Sequence, residues 1–226
     1  FDSLSDAAIP PVNLQAIEAF LTEALIVDEA TFSQAPRIVA APENRVLLTK
    51  GDRAYARGQY GRTPSGTALG SAGQPIDFRV FRNAVPLKDP TTGEVLGYEA
   101  QYLGKAELVR GESFEEIPNG KGGYVSEYVP ATVDLSGTKE EIRAGDRILP
   151  APARVFTSYT PRAPHIDVDA RIVSIYGSFS AAYAAQNQVV AINMGSQDGI
   201  EPGHVLSLLT QGDRIKDVTG EGKTMI

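Results

Sequence analysis

The chain has 226 residues, with 21 Lys and Arg against 28 Asp and Glu, a formal charge of −7, no Cys, no Trp and 2 His. Without cysteine there is no disulfide framework, thiolate metal site, iron–sulfur cluster or cysteine nucleophile, and two histidines leave little for a His-rich metal centre. A net acidic chain lacks the clustered Lys and Arg that hold nucleic acid through its phosphates, so no nucleic-acid partner is expected.

Nowhere do about 18–20 apolar residues run together, as a transmembrane helix requires. The first residues, Phe1 to Asp6, have neither the basic nor the apolar region of a signal peptide and no initiator Met. The last, Gly222 to Ile226, carry no cap or closing strand. Both ends are expected to be cut from something longer.

Residues 1–36 form an N-terminal segment with one short helix. Leu14, Ile17, Phe20, Leu21 and Ala24 fall on one helical face, behind Pro11 and an N-capping Asn13. Residues 37–150 make a first β module. Ile38–Ala40 and Arg45–Leu48 are β-prone runs bounded by Pro42 and Gly51. Residues 58–75 hold five glycines and two prolines among Ser and Thr, the composition of a long mobile loop. Phe78, Val80 and Phe81 open a hairpin that turns at Asp89-Pro90-Thr91-Thr92-Gly93 and resumes through Val95, Leu96, Tyr98 and Tyr102. Ala106 and Leu108 continue the alternation. Pro118 to Gly123 is a second loop tip. Val129, Ala131, Val133 and Leu135 then share one strand face, and Ile142 to Leu149 read as a turn entering a strand.

Pro150, Pro152, Pro161 and Pro164 mark a stiff connection at 151–165. Residues 166–226 begin a second, partial module, with strands at Asp167–Val173, Gln188–Met194 and Val205–Leu209 and a turn at Gly195–Gly199. The phrase Ile142-x-x-Gly145-x-x-Ile148 returns as Ile200-x-x-Gly203-x-x-Leu206, and Arg37-Ile38-Val39 returns as Arg171-Ile172-Val173. The fold class expected is mainly β: two small related β-barrel or SH3-like modules, the second incomplete, with a short N-terminal helix.

Motifs of catalysis are weak. Gly222-Lys223-Thr224 imitates the end of a phosphate-binding loop, but Asp217 stands where its first glycine belongs. Gly120-Lys121-Gly122-Gly123 is followed by Val125 at the last glycine position of a dinucleotide fingerprint, and no nucleophile elbow occurs. His165, Asp167, Asp169 and Arg171 would share one strand face, as three hard ligands and a cation or as solvated polar residues. His204 follows Pro202-Gly203 in an exposed turn. Glu115-Glu116 and Glu140-Glu141 are adjacent in sequence and point apart on a strand, which does not suit an acid/base pair. Nine tyrosines could stack on a glycan or pack a core. No catalytic, cofactor-binding or metal-ligating residue is assigned, the substrate-binding residues are unknown, and no cofactor is expected.

Several segments carry a resemblance. They are Arg45–Leu48 with Tyr55–Gly58, Asp89-Pro90 with Gly93 to Ala100, Tyr102-Leu103-Gly104, Gly145 to Pro150, and Asn187 to Gly203. Together they resemble the region that follows the LysM module in bacterial LysM-containing peptidoglycan-binding envelope proteins. The Asp-Pro-x-x-Gly-Glu-Val-Leu-Gly and Gly-Ser-x-Asp-Gly-Ile-x-Pro-Gly phrases also look like the C-terminal β domain of a flagellar assembly protein. The resemblance implies a non-enzymatic protein of the periplasm or cell envelope of a Gram-negative bacterium. It would be held to peptidoglycan by a LysM module outside these residues, with the present part as an interaction or spacer region beside other envelope proteins. A flagellar or secretion-apparatus assembly component is the second expectation, and a cell-wall hydrolase the third. Oligomeric state is left open.

Overall fold

The computed structural model describes residues 23, 25–58, 68–120, 122–151, 160–176 and 188–209. The chain is mainly β. In order it forms β1 (Ile26–Val27), α1 (Glu29–Gln34), β2 (Arg37–Ala40), β3 (Arg53–Arg57), β4 (Asp77–Lys88), β5 (Val95–Arg110), β6 (Ser113–Pro118), β7 (Tyr124–Val129), β8 (Ala131–Thr138), β9 (Arg147–Pro150), β10 (Ile172–Ile175) and β11 (Val190–Ile192). Described residues from 23 to 151, 170–176 and 188–193 belong to one compact unit, and 160–169 with 194–209 to another.

Seven strands of the larger unit form one sheet, ordered β1-β5-β4-β9-β2-β3-β8, and β8 pairs again with β5. The hydrogen-bond ladders therefore close a ring of six strands, with β1 added to the first half of β5. The β4–β5 hairpin is set by its turn. Asp89 Oδ1 accepts the N–H groups of Thr91 and Thr92 at 2.7 and 3.0 Å, and Gly93 takes the left-handed φ of +76° that its lack of Cβ allows. β5 is long enough to serve two partners: Ile26 and Val27 lie opposite Glu99 and Tyr98, while Gly104 to Arg110 face β8. At that closing seam Gly104 lies so close to β8 that a Cβ would come within 3.0 Å of Thr138 Cα and nearer still to the Gly137 carbonyl oxygen.

Alternate residues of each ring strand point inward. Ala54, Ala56, Phe78, Val80, Ala106, Ala131, Val133, Leu135 and Ile148 fill the interior, completed by Ile38, Leu48, Leu69, Leu103 and Ile142. Each fully buried aliphatic or aromatic side chain contributes roughly 1.5–3 kcal/mol, and the alanines keep facing strands close enough to exclude voids. A second cluster lies on the other face of β4: Phe81, Ala100 and Tyr102, covered by Leu25, Phe32 and Leu149. The Phe81 and Tyr102 rings meet edge to face with centroids 5.8 Å apart. Helix α1 starts at Asp28, whose carboxylate accepts the Thr31 N–H and hydroxyl at 2.8 and 2.5 Å. Those bonds hold the Asp28 carboxyl below its ordinary range.

Several sequence expectations change. The helix expected over Leu14–Ala24 lies outside the described residues except for Glu23, and the described helix is the shorter α1. Arg45–Leu48 is not a strand. Glu43 and Asn44 both adopt left-handed φ, 57° and 53°, which turns the chain. Leu48 alone then enters the core by exchanging main-chain bonds of 2.7 and 2.8 Å with Ile142, while Val46 and Leu47 are exposed. Of the glycine-rich loop, 59–67 lie outside the described residues, but its later part is anchored: Leu69 is buried, and Gly70 crosses Gly111 with room for no side chain. Asp167–Val173 is irregular until Ile172, and Val205–Leu209 forms no strand.

The two repeated phrases fold into one kind of turn. Gly145 and Gly203 have φ of +97° and +96°. Asp146 N–H donates to the Arg143 carbonyl at 3.2 Å, and His204 N–H to the Glu201 carbonyl at 3.1 Å. Each side chain then accepts the main-chain N–H of the residue three before it: Asp146 Oδ2 from Arg143 at 2.8 Å, His204 Nδ1 from Glu201 at 3.1 Å.

Candidate interaction surface

Strands β6 and β7 form a separate two-stranded ribbon, emerging between β5 and β8. The chain leaves the sheet because Gly111 passes against Leu69 and Gly70. Glu112 then fixes the base. Its carboxylate accepts the N–H of Leu69 at 2.7 Å and of Gly58 at 3.2 Å, and also the hydroxyl of Tyr128. The Arg57 guanidinium stacks 4.2 Å from the centre of the Tyr128 ring, whose edge meets Phe114.

Beyond this base the ribbon is open to solvent. Phe114 is 71% exposed and Tyr124 69%, with Ile117 and Val125 also exposed. Register places Phe114, Glu116, Pro118, Tyr124, Ser126 and Tyr128 on one face, and Glu115, Ile117, Val125 and Glu127 on the other. A free two-stranded ribbon is marginal in water, and one that leaves large apolar side chains bare on both faces has the composition of a contact surface. In the sequence only its glycine-rich tip stood out. The runs on either side of that tip, Ser113–Pro118 and Tyr124–Val129, mix apolar and acidic residues on both faces and so carry no strand signal.

The residues singled out from sequence are dispersed. His165, Asp167 and Asp169 are exposed on irregular chain, as is Arg171, whose N–H donates to Asn193 Oδ1 at 2.7 Å. Among the described residues no three His, Asp or Glu side chains gather as a metal ion would need. His204 is partly buried in its turn, not exposed; its Nε2 has no partner among the described residues. Glu115 and Glu116 point to opposite faces of the ribbon. Glu140 accepts both contacts of the Gln101 amide at 2.9 Å, and the Glu141 carbonyl accepts from Arg82 at 2.8 Å. Of the tyrosines, Tyr102 packs in the outer core, Tyr98 donates to Glu29 at 3.2 Å, and Tyr124 and Tyr128 share the ribbon face. Tyr60, Tyr159 and Tyr183 lie outside the described residues, as does Gly222-Lys223-Thr224.

A cleft of about 210 Å³ lies beside the left-handed pair, lined by Pro42, Glu43, Arg45, Gly51, Asp52 and Arg53. Its guanidinium groups are engaged: Arg45 with Asp52 at 2.6 Å, Arg53 with both oxygens of Asp134 at 2.7 and 2.9 Å. The second pair holds the Asp134 carboxyl below its ordinary range. The cleft is a paired, solvated surface.

Tyr176, at the end of β10, donates its hydroxyl to the Glu23 carbonyl at 2.5 Å. Burial pushes its phenol up from 10.0 to about 12. The folded chain thus keeps a proton that the unfolded chain releases near pH 10. The contribution of Tyr176 to stability is complete below pH 10 and falls as the pH rises towards 12. Burial also raises the Tyr98 and Tyr102 phenols, so tyrosinate absorbance should show several late-titrating phenols, and Tyr176→Phe should remove the one near pH 12; an unchanged curve in that variant would assign it elsewhere.

No protein-family model and no curated protein matches the sequence. Among the described residues no helix is long and apolar enough to cross a membrane.

Proposed function

We propose that this chain is a non-enzymatic interaction or spacer region of a cell-envelope protein, held at peptidoglycan by a LysM module elsewhere in the parent protein. The observation that carries the interaction role is the ribbon: a hairpin pinned at its base by Glu112 and bare of cover beyond it. Envelope placement and the LysM anchor rest on the sequence resemblance. The closed ring is taken as a small SH3-like barrel. The shared turn at Gly145 and Gly203 supports a second, partial module of the same kind.

A pull-down on purified sacculi tests the placement. The present chain is expected to stay in the supernatant, while a version carrying the upstream module sediments. Strong binding by this chain alone would move glycan recognition onto it. Co-purification with basal-body rings would favour the flagellar assembly reading instead, and release of muropeptides by the purified chain would make it a hydrolase.

A further inference from the structure

Among the described residues the ribbon has an unpaired edge. Asn119 N–H reaches the Gly123 carbonyl at 2.8 Å. Bonded and non-bonded pairs alternate along an antiparallel ladder. From that closing bond, Ile117–Val125 and Glu115–Glu127 exchange main-chain bonds, while Pro118–Tyr124 and Glu116–Ser126 turn theirs outward. Pro118 agrees with this register, since a residue without N–H is tolerated where the nitrogen faces out. It also blunts the β6 edge. The β7 edge has no such device: Tyr124 and Ser126 present N–H and C=O groups to which no described strand is added.

Charge selects what this edge can take. Glu115 and Glu127 stand directly opposite each other, a destabilising arrangement in isolation. Arg110 reaches Glu115 at 3.7 Å, and among the described residues Glu116 and Glu127 have no ion-pair partner. From 111 to 130 the sequence holds Glu112, Glu115, Glu116 and Glu127 against Lys121 alone. A second copy of the ribbon would bring like charges together.

We propose that the β7 edge binds an extended segment of another protein as a third strand. That segment carries Lys or Arg two positions from an apolar residue. Its basic side chain lies beside Glu127 and its apolar one beside Val125, on the face that already holds Ile117 and Glu115. Main-chain bonds to Tyr124 and Ser126 supply affinity, and the alternating side chains supply selectivity. The proposal rests on the ribbon being an interaction element and is independent of where peptidoglycan binds, so the sacculus assay and the one below fail separately.

The test uses the whole chain and short fluorescent peptides alternating Val and Lys on one strand face with Thr on the other, with a Glu-for-Lys version as comparison. Anisotropy should detect the basic peptide and not the acidic one, with affinity falling as salt rises. Glu127→Lys should weaken the basic peptide at least about tenfold and admit the acidic one. Ser126→Pro removes one outward N–H without touching the internal ladder and should abolish binding, while Ser126→Ala keeps it. Equal binding of both peptides, or indifference to Glu127→Lys and Ser126→Pro, would overturn the proposal. So would binding of a chitin oligosaccharide at Phe114 and Tyr124 in place of peptide, or self-association of the chain that Ser126→Pro abolishes.

Discussion

Asp146→Ala is expected to destabilise the larger unit by about 3–5 kcal/mol, the usual loss when one partner of a buried ion pair is removed. Asp146 is 2% exposed. Its carboxylate accepts Nε and Nη2 of Arg82 at 2.8 Å each, in the bidentate geometry that strengthens such pairs, and also the Arg143 N–H at 2.8 Å. The alanine leaves the largely buried Arg82 guanidinium with only the Glu141 carbonyl, and it opens the turn that sends the chain into β9. Urea unfolding measures the loss. The double variant Arg82→Met with Asp146→Ala should be less damaged than the sum of the two single changes, because it strands no charge. A loss under about 1 kcal/mol for Asp146→Ala would mean that water reaches Arg82 and the pair is effectively a surface one.

Gly104→Ala is the second large effect, about 2–3 kcal/mol, at the upper end of overpacking costs. The methyl group would have to displace the main chain of β8 at Gly137 and Thr138, since no flexible side chain can yield there. Gly137→Ala is the matched control. It lies across the same seam with nothing within 4 Å of where a Cβ would stand, and it should change stability by no more than about 0.5 kcal/mol. Similar thermal midpoints for the two variants would show that the seam is looser than the close approach implies.

Much of the larger unit was legible because local chemistry and global fold agree there. Asp89, Pro90 and Gly93 dictate a turn, and the residues around them alternate, so the β4–β5 hairpin follows from the sequence. Ala131, Val133 and Leu135 mark the inward face of β8 for the same reason. Arg45–Leu48 misleads because three consecutive apolar residues read as a strand, whereas the left-handed pair Glu43 and Asn44 turns the chain and leaves only Leu48 inside. Leu69 was hidden among glycines; its burial comes from a crossing of Gly70 and Gly111 that no local pattern announces. The ribbon was illegible for a different reason. Ser113–Pro118 contains two glutamates and a proline and buries nothing, so it lacks the one-sided alternation by which strands betray themselves. Glu112, the residue that fixes the ribbon, draws its partners from Gly58, Leu69 and Tyr128, distant in sequence. Asp146 is likewise ordinary in the phrase Gly-Asp-Arg until Arg82 is brought beside it.

The place of β9 in the ring bears on how the protein is made. The last ring strand in the sequence does not lie at the seam. It is inserted between β2 and β4, with Arg147 opposite Arg37 on one side and Phe81 on the other. A chain emerging from the ribosome can form the β4–β5 hairpin, add β8 to it and hang β3 and β2 from β8, all before residue 147 emerges. Until Arg147–Pro150 appears, β2 and β4 have no ladder between them and the apolar interior stays open along one side. Closure then requires the contact of greatest sequence separation in the ring, the kind that is slow to form. The nascent protein is therefore exposed to wrong pairings until its final ring strand arrives.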